Sequence, residues 1–294
     1  MTTFAQASPG EVEVGLAAPE PGPRTHAPFG RRLCTVTLNE AVGSYRLVGA
    51  DDPTGPAPLP GQFYMLAAEE GWGSGANQRP YLARAFSVCR ALATRLDFLV
   101  EEIGPGTARL ARLAPGQGVW LVGPLGIGFA DPVTLAGGGE SARAVLVAGG
   151  IGIAPLVIWR QALAKRGASE SVLAGFRSAA QCPAARLLAG DVAIATDDGS
   201  YGHRGLVTDL LERELEDRTG QAVYACGPPR MLEAVRRICA ERAVPAQLAM
   251  EEAMACGFGA CFGCVVKTRS GYKRLCVDGP IVSAADLDES WIAP

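Results

Sequence analysis

The chain has 294 residues, 48% of them hydrophobic, with nine cysteines, two histidines and a formal net charge of −3. A chain of this size buries more than one core, so two or three domains are expected. The mild acidity gives no electrostatic footprint for nucleic acid or an anionic membrane, and His26 and His203 alone poorly supply a Ser-His-Asp hydrolase or a histidine-rich metal site.

Residues 1–28 carry Glu11, Glu13 and Glu20 among repeated Pro and Gly, with no apolar run. They read as a mobile N-terminal extension and not as a signal sequence. Nine cysteines without such a signal point to a reducing cytoplasm. From 29 to 137 the text is strand-like. Residues 33–38, 45–48, 62–66 and 95–100 alternate or run apolar between Gly and Pro clusters, as in an antiparallel β-barrel. Arg84-Ala85-Phe86-Ser87 puts an Arg and a Ser on one strand of it, and Gly104-Pro105-Gly106-Thr107 follows about twenty residues on. An Arg, a Ser and the amides of a Gly-Thr turn can hold a pyrophosphate. Equally, Phe86 can be barrel core and Arg84 a surface charge.

From 138 to 245 the pattern becomes β–α alternation, which argues a parallel sheet with helices on both faces. The apolar stretch 144–159 is too short for a membrane span and is broken by Gly149, Gly150, Gly152 and Pro155. It reads as a buried strand, a glycine turn and a helix start. Such a turn lets backbone approach a pyrophosphate, and the helix N-terminus adds N–H groups and a favourable dipole, although glycines here are often only packing. Tyr224-Ala225-Cys226-Gly227-Pro228 ends a later strand, so both turns can face one crevice at the carboxyl edge of the sheet. Thr196-Asp197-Asp198-Gly199-Ser200 ends another strand on that edge; its plain reading is a polar turn.

Residues 246–294 are short, glycine-rich and cysteine-bearing. Cys256, Cys261 and Cys264 are spaced C-x4-C-x2-C, with Cys276 further on, the plant-type pattern for a [2Fe–2S] cluster. Thiolates are soft ligands suited to iron–sulfide, and the intervening glycines let N–H groups approach sulfur. A four-cysteine zinc site, the rival, typically shows two C-x2-C pairs, and only one is present. Cys34, Cys89, Cys182 and Cys239 are scattered and read as small core residues.

Together these elements resemble the ferredoxin–NADP reductase superfamily, in which a flavin-binding barrel precedes a nicotinamide-binding α/β domain. The family's flavin motif is usually Arg-Pro-x-Ser; here Ala85 stands for the proline. The text Glu251-Glu252-Ala253-Met254-Ala255-Cys256, with Cys276-Val277-Asp278-Gly279-Pro280, is similar to the electron-transfer subunits of NAD-dependent dihydroorotate dehydrogenases. The resemblance implies a flavin barrel (29–137), an NAD domain (138–245) and a C-terminal [2Fe–2S] domain (246–294). FAD would lie on Arg84, Ala85, Phe86, Ser87, Leu99, Val100, Glu101, Gly106 and Thr107. NAD would lie on Gly149, Gly150, Gly152, Thr196, Asp197, Cys226 and Gly227, and Cys256, Cys261, Cys264 and Cys276 would ligate iron. The implied partner is an FMN-containing dihydroorotate dehydrogenase subunit in a heterotetramer with two of each. A relay serving a hydrogenase or a ferredoxin-linked transhydrogenase would use the same motifs, and a zinc-stabilised binding module is the alternative of another class. Arg177-Ser178, after a strand, could meet the 2′-phosphate of NADP, whereas the resemblance favours NAD.

Overall fold

The computed structural model describes residues 30–73, 80–138, 142–216, 220–287 and 291; the expected N-terminal extension lies outside them. In the first half, one-in, one-out side-chain alternation closes six strands on themselves: β1 (Arg32–Val42), β2 (Tyr45–Asp51), β3 (Phe63–Ala68), β4 (Arg84–Leu92), β5 (Arg95–Val100) and β6 (Gly118–Leu125). The barrel runs β1-β2-β5-β4-β3-β6, with every neighbouring pair antiparallel. Val36, Val48, Tyr64, Leu66, Phe86, Phe98, Val100 and Leu121 fill it. Helix α1 (Pro105–Ala111) covers one end, with Leu110 packed into the same core. Asp97 has no exposure and accepts from Arg90 Nε at 2.9 Å and Arg95 Nε at 2.8 Å. Burial raises its carboxyl and the two guanidinium groups oppose that rise, the three side chains forming a hydrogen-bonded triad.

After α2 (Pro132–Leu135) the winding changes. Strand β7 (Arg143–Gly149) leads through a tight 3-10 turn, Gly150–Ile153, into α3 (Ala154–Lys165). Then come β8 (Glu170–Phe176), β9 (Ala193–Thr196), β10 (His203–Arg204), α4 (Val207–Glu214), β11 (Gln221–Cys226), α5 (Pro229–Glu241) and β12 (Ala246–Ala249). The near-continuous apolar text of β7 and β11 follows from burial on both faces. Leu156, Trp159 and Leu163 of α3 cover one face, while Leu211 of α4 and Leu232, Val235 and Ile238 of α5 cover the other. Helix α3 also joins the two units, because Ile158 enters the barrel core and Trp159 meets Phe129 and Tyr224 at ring distances of 5.6 and 5.2 Å.

The last segment departs from the expected boundary at 246. The sheet order is β10-β9-β8-β7-β11-β12-β15, so β12 and the final strand β15 (Ile281–Ser283) extend the α/β sheet. Only the intervening chain stands apart: the cysteine loop, the hairpin β13 (Val265–Thr268) and β14 (Gly271–Arg274), and α6 (Leu275–Asp278). Two strands of four and three residues carry too little periodicity to be seen locally, and long-range pairing decides them. No helix among the described residues is long and apolar enough to cross a membrane.

Candidate functional site

From Met250 to Cys264 the chain has neither helix nor strand, and glycines and sulfurs set its path. Gly257 and Gly259 take φ values of +79° and +86°. A Cβ on Gly257 would lie 2.6 Å from Met65 Cγ, and one on Gly259 would lie 2.7 Å from Val277 Cγ2. The loop is therefore pressed against the barrel on one side and α6 on the other. Cys264 and Cys276 are buried, Cys256 is half-buried and Cys261 is exposed.

Every one of these sulfurs faces backbone N–H groups. Gly263 N–H donates to Cys261 Sγ and Cys276 N–H to Cys264 Sγ, both at 3.4 Å. Burial alone would raise the Cys256 thiol, but N–H groups of Cys261, Phe258 and Ala260, with the Cys261 side chain, bring it to about 6. Burial and the Cys264 side chain push Cys276 up to about 12, against an N–H from Gly259. The Cys256 thiol thus meets Cys261, and the Cys276 thiol bears on both Cys264 and Cys256. Among the described residues no three His, Cys, Asp or Glu side chains converge as one metal ion requires. A two-iron centre, in which each iron takes two thiolates, spreads its four sulfurs wider than one tetrahedral zinc, which needs all four at a point. Amides directed at sulfur also stabilise the anionic cluster. The donor set fits [2Fe–2S].

The nucleotide crevice is built differently. Sheet order reverses about β7, so the ends of β7 and β11 flank the switch point where α/β sheets bind ligands. The Gly149–Gly152 and Cys226–Gly227 turns touch there. A Cβ on Gly152 would lie 2.3 Å from Cys226 O, and one on Gly227 2.9 Å from Gly149 Cα. Gly149 is likewise closed off, by Met231 Sδ at 2.5 Å. These three glycines serve the approach of one turn to the other. Gly150, at φ +55°, meets only Tyr45 Oη, at 3.5 Å. Asp197 is exposed on the same edge. Thr196 is not available to a ligand: it has no exposure, and its Oγ1 donates to Tyr201 O at 2.7 Å and accepts from Tyr201 N at 3.0 Å. Cys226 is buried, and its thiol is pushed well above the ordinary range by that burial and by Glu251.

On the barrel the expected flavin residues divide. Arg84 and Gly106 come together, since a Cβ on Gly106 would lie 3.0 Å from Arg84 Nε. The Arg84 guanidinium also lies 5.9 Å over Trp72 and donates to Leu82 O at 2.6 Å. Exposed Ala85 and half-buried Ser87 alternate with Phe86, which packs inside the barrel. Phe86 is core, as its plain reading had it. Leu99 and Val100 are buried and can offer only backbone, while Glu101 is half-buried. The Thr107 hydroxyl is committed to its own turn, accepting from the Ile103 and Gly104 N–H groups at 2.9 and 3.1 Å.

Known proteins repeat this plan. Residues 251–288 match the model of the iron–sulfur cluster binding domain of dihydroorotate dehydrogenase B, and 146–237 that of the oxidoreductase NAD-binding domain. The electron transfer subunit of dihydroorotate dehydrogenase B (NAD(+)) from Geobacillus thermodenitrificans is 36% identical over 268 residues, covering 88% of this chain and 99% of that one. Its counterpart from Bacillus caldolyticus is 39% identical over 269 residues, with the same coverage. The chain belongs to this family. The fold of these electron transfer subunits is shared more widely. An NADH-dependent reduced ferredoxin-NADP oxidoreductase superimposes with a TM-score of 0.73 at 23% identity, covering 90% of this chain and 91% of its own. A Neisseria gonorrhoeae ferredoxin NADP+ reductase does so with 0.59 at 16% identity, covering 76% and 93%.

Two residues of this family member have no role assigned from the sequence. Glu251 follows β12 into the crevice; its carboxyl is open to solvent yet surrounded by protein, which raises it, and it bears on the Cys226 thiol. Only the pairing of β12 with β11 brings it there. Arg274 reaches back over the cysteine loop, and neither spacing nor motif marks it. Cys34, Cys89 and Cys239 are buried core residues as expected, and Cys182 is half-buried.

Proposed function

We propose that this chain takes electrons from a separate FMN-containing subunit that oxidises dihydroorotate and passes them to NAD in pyrimidine synthesis. The assembly is a heterotetramer with two of each subunit, in a reducing cytoplasm. The meeting of the four cysteine sulfurs, three on a loop pressed between barrel and α6 and the fourth on α6 itself, carries this reading. A [2Fe–2S] cluster exchanges single electrons, FAD one or two, and NAD only hydride, so the three together join a one-electron to a two-electron carrier.

The chain's residues supply position. Cys256, Cys261, Cys264 and Cys276 ligate iron, and the amides of Phe258, Ala260 and Gly263 face their sulfurs. Arg84, with the backbone of Gly106 and Thr107, grips the pyrophosphate of FAD, and Ala85 and Ser87 present the outer barrel surface to its ring. Leu99, Val100 and Glu101 flank it. Gly150 and the edges of Gly149 and Gly152 approach the NAD pyrophosphate, and Asp197, Cys226 and Gly227 line the rest of the crevice. Hydride transfer needs mainly rings held in register, and no acid–base group is required. The names of the family's members favour NAD over NADP. Anaerobic co-purification with the neighbouring dehydrogenase subunit tests the reading, with iron, sulfide and flavin analysis and a dihydroorotate–NAD assay. Flavin and cluster absorbance with NAD-linked turnover are expected. A colourless, zinc-containing protein would overturn it.

A further inference from the structure

One side chain holds together the parts of the cysteine loop that are far apart in sequence. Arg274 ends the hairpin two residues before Cys276. Its Nη1 donates to Gly259 O at 3.2 Å, and its Nε donates to Asp278 Oδ2 at 3.2 Å. Its guanidinium lies 5.4 Å over the Phe262 ring. It therefore touches the Cys256–Cys261 segment, the Cys261–Cys264 turn and the helix that carries Cys276. Phe262 is 63% exposed and has φ +60°, a left-handed conformation that a non-glycine residue holds only when its surroundings fix it. Gly259 makes room for the arrangement: a Cβ there would sit 3.1 Å from Arg274 Nη1.

Resting on the reading that these cysteines hold a two-iron cluster, we propose that Arg274 is its positioning residue, closing the loop over the sulfurs and easing the entry of an electron. Two physical effects are separable. The planar fork ties Gly259 and Phe262 in place, a role that lysine, a compact charge, does not reproduce. The positive charge favours the more negative, reduced cluster, since net charge and hydrogen bonding set cluster potentials. Side-chain exposures of 22% for Arg274 and 26% for Asp278 leave that charge only partly screened by water. Asp278 offsets it, so the two residues act on the potential with opposite signs.

The test uses the full chain with its cluster, comparing Arg274→Gln, Arg274→Lys and Asp278→Asn. The readouts are iron and sulfide per chain, potentiometric titration followed by electron paramagnetic resonance, and the rate of cluster loss to a chelator. FAD content serves as the folding control. Arg274→Gln is expected to lower the midpoint potential and speed cluster loss about tenfold. Arg274→Lys should keep the potential near wild type while still losing the cluster several-fold faster, and Asp278→Asn should raise the potential. Unchanged potentials and loss rates in all three variants would overturn the proposal, as would shifts of the same sign in Arg274→Gln and Asp278→Asn. A wild-type protein without iron and sulfide would instead overturn the cluster reading beneath it.

Discussion

The nucleotide crevice and the cysteine loop are both rich in glycine, and glycine does different work in each. In the crevice the missing side chains of Gly149, Gly152 and Gly227 make way for Met231 and for the neighbouring turn. The crevice is a product of sheet packing. In the loop, Gly257 and Gly259 bend the chain through left-handed backbone so that amides face four thiols. Residues 250–264 form no helix or strand of their own, and Phe258 and Phe262 stay exposed. A site of this kind takes much of its order from what it binds, because metal–ligand free energy becomes folding free energy. One chain thus carries a site set by sheet packing beside one whose order depends on metal ligation.

The largest effect expected from that difference comes from Cys261→Ser. Iron and visible cluster absorbance should fall to near zero and hydrogen exchange across 250–280 should rise by orders of magnitude, while FAD and NAD binding persist. Loss of FAD with normal iron would break the comparison. Gly152→Ala probes the other side. Its Cβ would meet Cys226 O at 2.3 Å, so the turns must part, lowering global stability by ~2 kcal/mol or more and weakening NAD binding at unchanged iron content. Denaturant melts and NAD titration check both.

A smaller effect follows from pH. Asp286 is partly buried, which would raise it, but Lys273 Nζ at 2.8 Å and the Ser270 hydroxyl and N–H bring its carboxyl down to about 2. A depressed carboxyl stabilises the fold fully above the ordinary carboxylate range, and that stability is lost as pH falls through about 2. The ion pair is open enough for water to screen part of this contribution. It fastens the hairpin to the sheet, so Asp286→Asn should flatten the acid limb of the stability curve and loosen residues 265–274 ahead of the crevice. The smallest effect is Thr107→Val, which removes three hydrogen bonds from the α1 turn and should cost ~1 kcal/mol. A few-fold weaker grip on FAD, without change in cluster content, is expected by flavin release.

Much of this was legible beforehand. The barrel strands announced themselves by alternation, and the parallel sheet by strand–helix rhythm. The cysteines did so by spacing. What was hidden shares one feature, dependence on atoms distant in the chain. Phe86 faces inward because β4 pairs with β3 in one register. Thr196 is consumed by the turn ending at Tyr201. Strands β12 and β15 exist because the sheet's edge was free to accept them.

The sequence by itself determined the chemistry this protein can hold, because ligand type and local spacing decide which groups a loop can bind. Tertiary structure alone decided how those groups are served. It gathered the four sulfurs, brought Glu251 to bear on Cys226 and laid Arg274 across the loop. Each of these follows from long-range packing and strand register, which no local pattern of residues encodes.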